Sequence, residues 1–218
     1  MKGMLRMGLV AVAALAAACA PRERTLVLLS TNDMHAKIQN FPRLASAVEA
    51  CRDTARLVVL VDAGDRWTGN AYVDMAPTPG MPMIALMNEL GYDVATLGNH
   101  EFDVGDQAVE NSWVNARKNR LRYGVYRKLP QLLVSNMFIK YNANGEPISY
   151  TSADIRPNDL STNAFGAGAY AKTGAKNYAI RQVAGYRVGL FALEGEESYG
   201  YCKNSDLTRM DCAEVARV

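Results

Sequence analysis

Val58-Val59-Leu60-Val61-Asp62-Ala63-Gly64-Asp65 is an apolar run that ends in a carboxylate, a glycine and a second carboxylate. A short run without polar alternation reads as a strand buried on both faces, as in a parallel sheet covered by other layers. The same design recurs on either side. Leu26-Val27-Leu28-Leu29 runs into Thr31-Asn32-Asp33-Met34-His35, and Val94-Ala95-Thr96-Leu97 runs into Gly98-Asn99-His100-Glu101-Phe102-Asp103. The chain has two histidines, and both lie in these strand-end segments.

The segments between the strands read as helices. Phe41-Pro42 opens one that runs to about Arg56, with proline near the first helical position. A loop over 66–81 precedes a helix begun by Pro82, whose Met83, Ile84, Met87 and Leu90 share one side and which Gly91 stops. Another helix is expected from about Gly105 to Asn119, and a fourth strand at 131–135 after those at 25–30, 57–62 and 93–98. This alternation is the α/β pattern, with functional groups at the carboxyl ends of the strands. Residues 140–177 are polar and aperiodic and read as a turn at Asn144-Gly145 followed by an irregular insertion. Strands resume at Tyr178–Val183 and Arg187–Leu193 around the tight Ala184-Gly185 turn. Asp211 to Val218 reads as the beginning of a helix without a cap.

With 49% hydrophobic and 21% charged residues over 218 positions, the chain has enough apolar residues for a sizeable core. Lys2 and Arg6 precede an uncharged stretch, Met7 to Ala18, that is too short to span a bilayer and reads as an export signal. Its junction, Ala16-Ala17-Ala18-Cys19, resembles a lipobox, which makes Cys19 the candidate lipidated residue; an ordinary secretory signal is the alternative. Removing residues 1–18 takes away two of the 24 basic residues and none of the 22 acids, leaving a formally neutral chain. That balance argues against a nucleic-acid-binding surface. The basic stretch Arg117 to Lys128 reads as a solvated helix end, or as an attractor for anionic substrates. Export implies an oxidising compartment, so Cys202 and Cys212 are expected to pair as a disulfide, while Cys51 reads as a core thiol.

Asp33 and His35 are two residues apart at a strand end, a spacing that lets both side chains reach one cation. Asp65 can offer two oxygens and Asn99 an amide oxygen. Mixed carboxylate, imidazole and amide donors suit Mn²⁺, Mg²⁺, Zn²⁺ or Fe, and the pattern points to a metal-dependent hydrolase.

Three strings carry a resemblance: TNDMH at 31–35, DAGDRWTG at 62–69 and LGNHEFDVG at 97–105, with Met87-Asn88-Glu89-Leu90-Gly91-Tyr92-Asp93 before the last. Together they resemble a calcineurin-like metallophosphoesterase, and more narrowly the exported 5′-nucleotidase/UDP-sugar hydrolase family. The resemblance covers residues 25 to about 140 well and 178–193 loosely. It implies an α/β fold that is part of a four-layer α/β/β/α sandwich, and two divalent ions. By the same resemblance Asp33 and His35 bind the first metal, Asp65 bridges, and Asn99 binds the second. His100 serves the transferring phosphoryl group or the leaving group, oriented by Asp103. Glu101 is then structural, and Trp67 packs around the Asp65 loop.

The family completes its site with later histidines and adds a C-terminal substrate domain. This chain has no histidine after His100 and reads Glu194-Gly195-Glu196-Glu197-Ser198 after the last strand. The expectation is therefore the N-terminal portion of such a domain, over 25–218, binding at most one cation weakly. Glu194, Glu196 and Glu197 are not expected to replace the missing ligands, because carboxylates change both charge and geometry. The implied substrate is a small phosphate ester, in the first place a nucleotide. Cyclic phosphodiesters and sulfur-bearing substrates are alternatives, as is a non-catalytic surface lipoprotein on the same scaffold. The implied location is exported, either membrane-anchored through lipid or periplasmic.

Overall fold

The computed structural model describes residues 25–54, 57–119, 129–154, 170–183 and 185–218. The export segment, Cys19, most of the basic stretch and the middle of the insertion lie outside these residues.

Four parallel strands form the main sheet in the order β1 (Leu26–Thr31), β2 (Leu57–Asp62), β3 (Val94–Ala95) and β4 (Gln131–Leu132). β1 and β2 are in full register, Leu26 opposite Leu57 and Thr31 opposite Asp62. The connections are α1 (Phe41–Thr54), a one-turn α2 (Ala71–Asp74), α3 (Met81–Leu90) and α4 (Asp106–Asn119). Gly91 ends α3 with φ 73°, as a left-handed helix cap requires.

Side chains alternate across the sheet and sort into two cores. Leu60, Ala95 and Leu132 face the helices, packing with Val48, Met83, Met87, Val109 and Trp113. Val94 and Leu133 face the other way, against Ala179 and Ala192. Ala179 lies in, and Ala192 directly after, an antiparallel pair, β6 (Tyr178–Val183) and β7 (Tyr186–Phe191), which forms a β layer on that face. The order of layers is thus helix, sheet, sheet.

Several expectations need correction. The 66–81 loop contains α2, capped by the Asn70 side chain, which accepts from Tyr72 N–H. β3 and β4 are two residues each, shorter than expected. A pair that was not anticipated, β5 (Met137–Ile139) with β8 (Leu207–Arg209), ties the chain's last third to the region after β4. One-turn helices α5 (Glu196–Tyr199) and α6 (Cys212–Val215) flank β8, and α6 does have a cap: Asp211 accepts from Ala213 and Glu214 N–H. The Asn144-Gly145 turn is present, with Asn142 N–H donating to Glu146 O. Of the basic stretch, Arg117 is engaged, donating from its guanidinium to Thr173 O.

Cys202 and Cys212 are free thiols, against the expected disulfide. Each has its own partner: the Cys202 thiol faces Ser198 O and the Cys212 thiol faces Glu194 O. No helix among the described residues is long and apolar enough to cross a membrane.

Candidate functional site

Beyond the last paired residues of β1 and β2 the two chains continue to run together. Asp33 N–H donates to Gly64 O, His35 N–H to Asp65 O and Ala36 N–H to Arg66 O. This lacing carries the parallel pairing into the loops and sets Asp33 and His35 beside Asp65. It also imposes strain. Asp33, His35, Ala36, Asp65 and Thr68 all have φ between 44° and 60°. Side chains rarely adopt that region, and such strain gathers at functional sites because the surrounding structure must enforce it.

The third strand end meets the second at a pair of glycines. A Cβ on Gly64 would come within 2.5 Å of Gly98 N, and a Cβ on Gly98 within 2.5 Å of Asp65 Oδ1. Only bare backbones fit there. The close approach lets His100 N–H donate to Asp65 Oδ1 at 2.8 Å.

Glu101 holds the crossing from beneath. It is 2% exposed, and its carboxylate accepts from Asp65 N–H, Arg66 N–H and Gly98 N–H at 2.7–2.9 Å. The structural role expected for Glu101 is this clamp. Arg66 was not singled out from sequence. Its buried guanidinium lies 3.5 Å from both Asp62 and Glu101, donates to Thr96 O, and stacks 5.4 Å from the Trp113 ring. Burial pushes the Asp62 carboxyl up to about 6 even against the opposing pull of Arg66. Trp67 is 3% exposed in the helix-side core, in keeping with a packing role.

Asp33, His35, Asp65, Asn99 and His100 come together above this base. His35 Nδ1–H donates to the Thr68 carbonyl at 3.1 Å, which leaves Nε2 with its lone pair, 3.8 Å from Asp33 Oδ1. Burial raises the Asp65 pKa. His100 lies edge-on to His35, ring centres 4.8 Å apart. Its Nδ1 is 2.8 Å from Asp103 Oδ2, and that hydrogen bond is the main reason its pKa is raised, favouring the cation. Asn99 sits on the far side, its Oδ1 accepting from the Ser198 hydroxyl at 3.1 Å. Asp33, His35, Asp65, Asn99, His100 and Asp103 therefore belong to one surface.

In kind, the donors fit a divalent cation: two carboxylates, an imidazole nitrogen and an amide oxygen. They are not closed around a point. Among the described residues no group of three or more His, Cys, Asp or Glu side chains is arranged to hold a metal ion.

Sequence reasoning passed over Ser198, which grips Asn99, and Asn136, whose buried amide binds the backbone of Glu194 on both sides. Neither carried a local signal, since both act across more than 50 residues.

Residues 26–166 match the calcineurin-like phosphoesterase family. The chain is similar to the trifunctional nucleotide phosphoesterase YfkN of Bacillus subtilis, 26% identical over 178 residues that make up 79% of this chain and 11% of that protein. It is 34% identical over 103 residues to the 5′-nucleotidase of Bos taurus, covering 39% of this chain and 18% of that one. Its fold superposes on the crystal structure of the 5′-nucleotidase precursor from Thermus thermophilus with a TM-score of 0.59 at 21% identity, over 88% of this chain and 33% of the other. The chain thus spans a third or less of each of these relatives. The family match extends over more than half of the chain and contains all three strand-end strings, so the chain belongs to the calcineurin-like phosphoesterase family, a family of hydrolases that generally use divalent metals.

Proposed function

We propose that this chain carries the metal-binding face of a hydrolase that cleaves nucleotide phosphate esters. The observation that carries the reading is the laced pair of strained loops, which bring Asp33, His35 and Asp65 together beneath a histidine held by Asp103. The substrate class is supported by the activities for which the relatives are named, which include a 5′-nucleotidase and a 2′,3′-cyclic-nucleotide 2′-phosphodiesterase/3′-nucleotidase.

In this reading Asp33 and His35 hold one cation, Asp65 serves two positions through its two oxygens, and Asn99 serves the second. Divalent ions bound there supply a nucleophile from water at neutral pH and neutralise charge on the phosphoryl oxygens. The chain's own groups do the rest. Thr68 O fixes the His35 tautomer so that Nε2 stays available. The His100 N–H fixes one Asp65 oxygen and so sets the direction of the other. His100, its cationic form favoured by the hydrogen bond to Asp103, presents Nε2 to the reacting phosphoryl group. There it donates a hydrogen bond to a phosphoryl oxygen or a proton to the departing alkoxide.

The test separates the two histidines. Phosphate release from a nucleoside 5′-monophosphate is expected to require Mn²⁺ or Zn²⁺ and to fail in Asp65→Asn. His35→Asn should lose metal content and activity together. His100→Asn should keep its metal and lose turnover by roughly 10²–10⁴-fold. Equal metal loss in both histidine variants would overturn this division of roles.

Cys19 lies outside the described residues, and its lipidation is part of the same proposal: an exported enzyme held at a membrane. Cys19→Ser should abolish incorporation of labelled palmitate, and persistence of the label would rule the anchor out.

A further inference from the structure

Three glutamates follow β7, and the structure treats them differently. The Glu196 side chain is 90% exposed and lies 3.9 Å from Arg209. Glu197 is exposed. Glu194 is 6% exposed, and its Oε1 has no hydrogen-bond partner. A buried carboxylate oxygen without a partner is rare in folded proteins, because the lost hydration is not replaced.

The position of Glu194 is built in. Asn136, itself 1% exposed, accepts from Glu194 N–H at 2.8 Å and donates to Glu194 O at 2.9 Å. The Glu194 backbone is thus fixed on both sides. Ser198, four residues on, donates its hydroxyl to Asn99 Oδ1 at 3.1 Å, so the segment that begins at Glu194 is tied to the expected ligand of the second cation. Of the charged groups acting on Glu194, Asp65 acts most strongly, ahead of Glu101, and the one cation among them, Arg209, acts least. The chain has therefore brought a buried carboxylate toward another carboxylate, with an orphaned oxygen and too little positive charge to offset them.

We propose that Glu194 is a ligand of the second cation position, supplying a carboxylate oxygen beside Asp65 and Asn99. The inference rests on the two-cation reading above and completes it from within this chain. Three oxygen donors make that position hard in character, suited to Mn²⁺ or Mg²⁺, whereas the Asp33–His35 position includes a nitrogen and accepts Zn²⁺ more readily.

Mn²⁺ binding to the metal-free chain, followed by calorimetry and by the paramagnetic resonance signal of free Mn²⁺, tests the proposal. Glu194→Gln should weaken Mn²⁺ binding at one position by roughly tenfold or more, and Glu196→Gln should leave it unchanged. Glu194→Asp, which keeps the charge but withdraws it by a methylene, should fall between the unaltered chain and Glu194→Gln. It decides the matter alone if Glu194→Gln does not fold by circular dichroism. Mn²⁺ binding by folded Glu194→Gln that is indistinguishable from the unaltered chain, while Asp65→Asn loses it, overturns the assignment of Glu194 and leaves the wider reading standing. Absence of Mn²⁺ binding in the unaltered chain overturns both.

Discussion

Glu101 is the residue on which the geometry of the site depends most, although it faces away from any substrate. Its carboxylate accepts three buried backbone N–H groups, from Asp65, Arg66 and Gly98, and lies 3.5 Å from the Arg66 guanidinium. Glu101→Ala leaves those donors without partners and leaves Arg66 to Asp62 alone. An unsatisfied buried donor costs about 1–3 kcal/mol, and breaking one side of a buried ion pair costs about 3–5 kcal/mol. The two effects share the same atoms and do not add, so the loss is about 3–5 kcal/mol, a large part of the 5–15 kcal/mol that typically holds a domain together. At about 2–4 °C per kcal/mol for a domain of this size, the melting temperature should drop by on the order of 10 °C. Glu101→Gln keeps the shape and one good acceptor, so it should lose about 1–3 kcal/mol. Melting curves by circular dichroism in metal-free buffer give both numbers. If Glu101→Ala melts alongside the unaltered chain, or if the Gln variant is the more damaged, the clamp does not work as described.

Two further perturbations follow from the same crossing. Gly98→Ala places a Cβ against Asp65 Oδ1, so Mn²⁺ affinity should fall while the helix-side core stays intact; unchanged affinity would mean that Asp65 tolerates displacement. Asp62 gives a pH signature. Burial holds its carboxyl at about 6 against an ordinary 3.8, so between those values the folded chain keeps a proton that the unfolded chain has released. Stability should then decline as pH rises through that window and level off above it. The melting temperature of the unaltered chain minus that of Asp62→Asn should therefore fall as pH rises from about 4 to about 6, and a constant difference would refute the shift.

How much of this was legible in the sequence depended on the range of the forces involved. β2 was read at its true limits because an unbroken apolar run with a carboxylate at its end has little else to become. α3 was legible because Pro82 and Gly91 bracket an apolar face. β3 was overread: Thr96 O is taken by the Arg66 guanidinium, so the strand stops pairing where the apolar run does not. α2 was missed because it is organised by Asp74, whose carboxylate accepts from Thr68, Gly69 and Asn70 N–H, a polar arrangement with no hydrophobic period. The β5–β8 pair depends on contacts across about 70 residues, which spacing along the chain does not encode.

The site was legible for a different reason. In a parallel sheet every strand ends on the same side, so whatever follows an apolar run tends to meet whatever follows the others. Asp33, Asp65 and Asn99 were found by that rule. Glu194 directly follows the run Leu190 to Leu193, but β7 belongs to the antiparallel hairpin and the rule does not reach it. From sequence the residue was not expected to serve, because a carboxylate in place of a histidine changes both charge and geometry. The physical criterion is less particular about identity. What matters is a donor atom delivered at a strand end, a backbone fixed by a neighbour such as Asn136, and an oxygen left without a partner. By that criterion Glu194 stands with Asp65 and Asn99. On the proposal above, Glu194 would supply the second cation position with an oxygen donor in place of a later histidine.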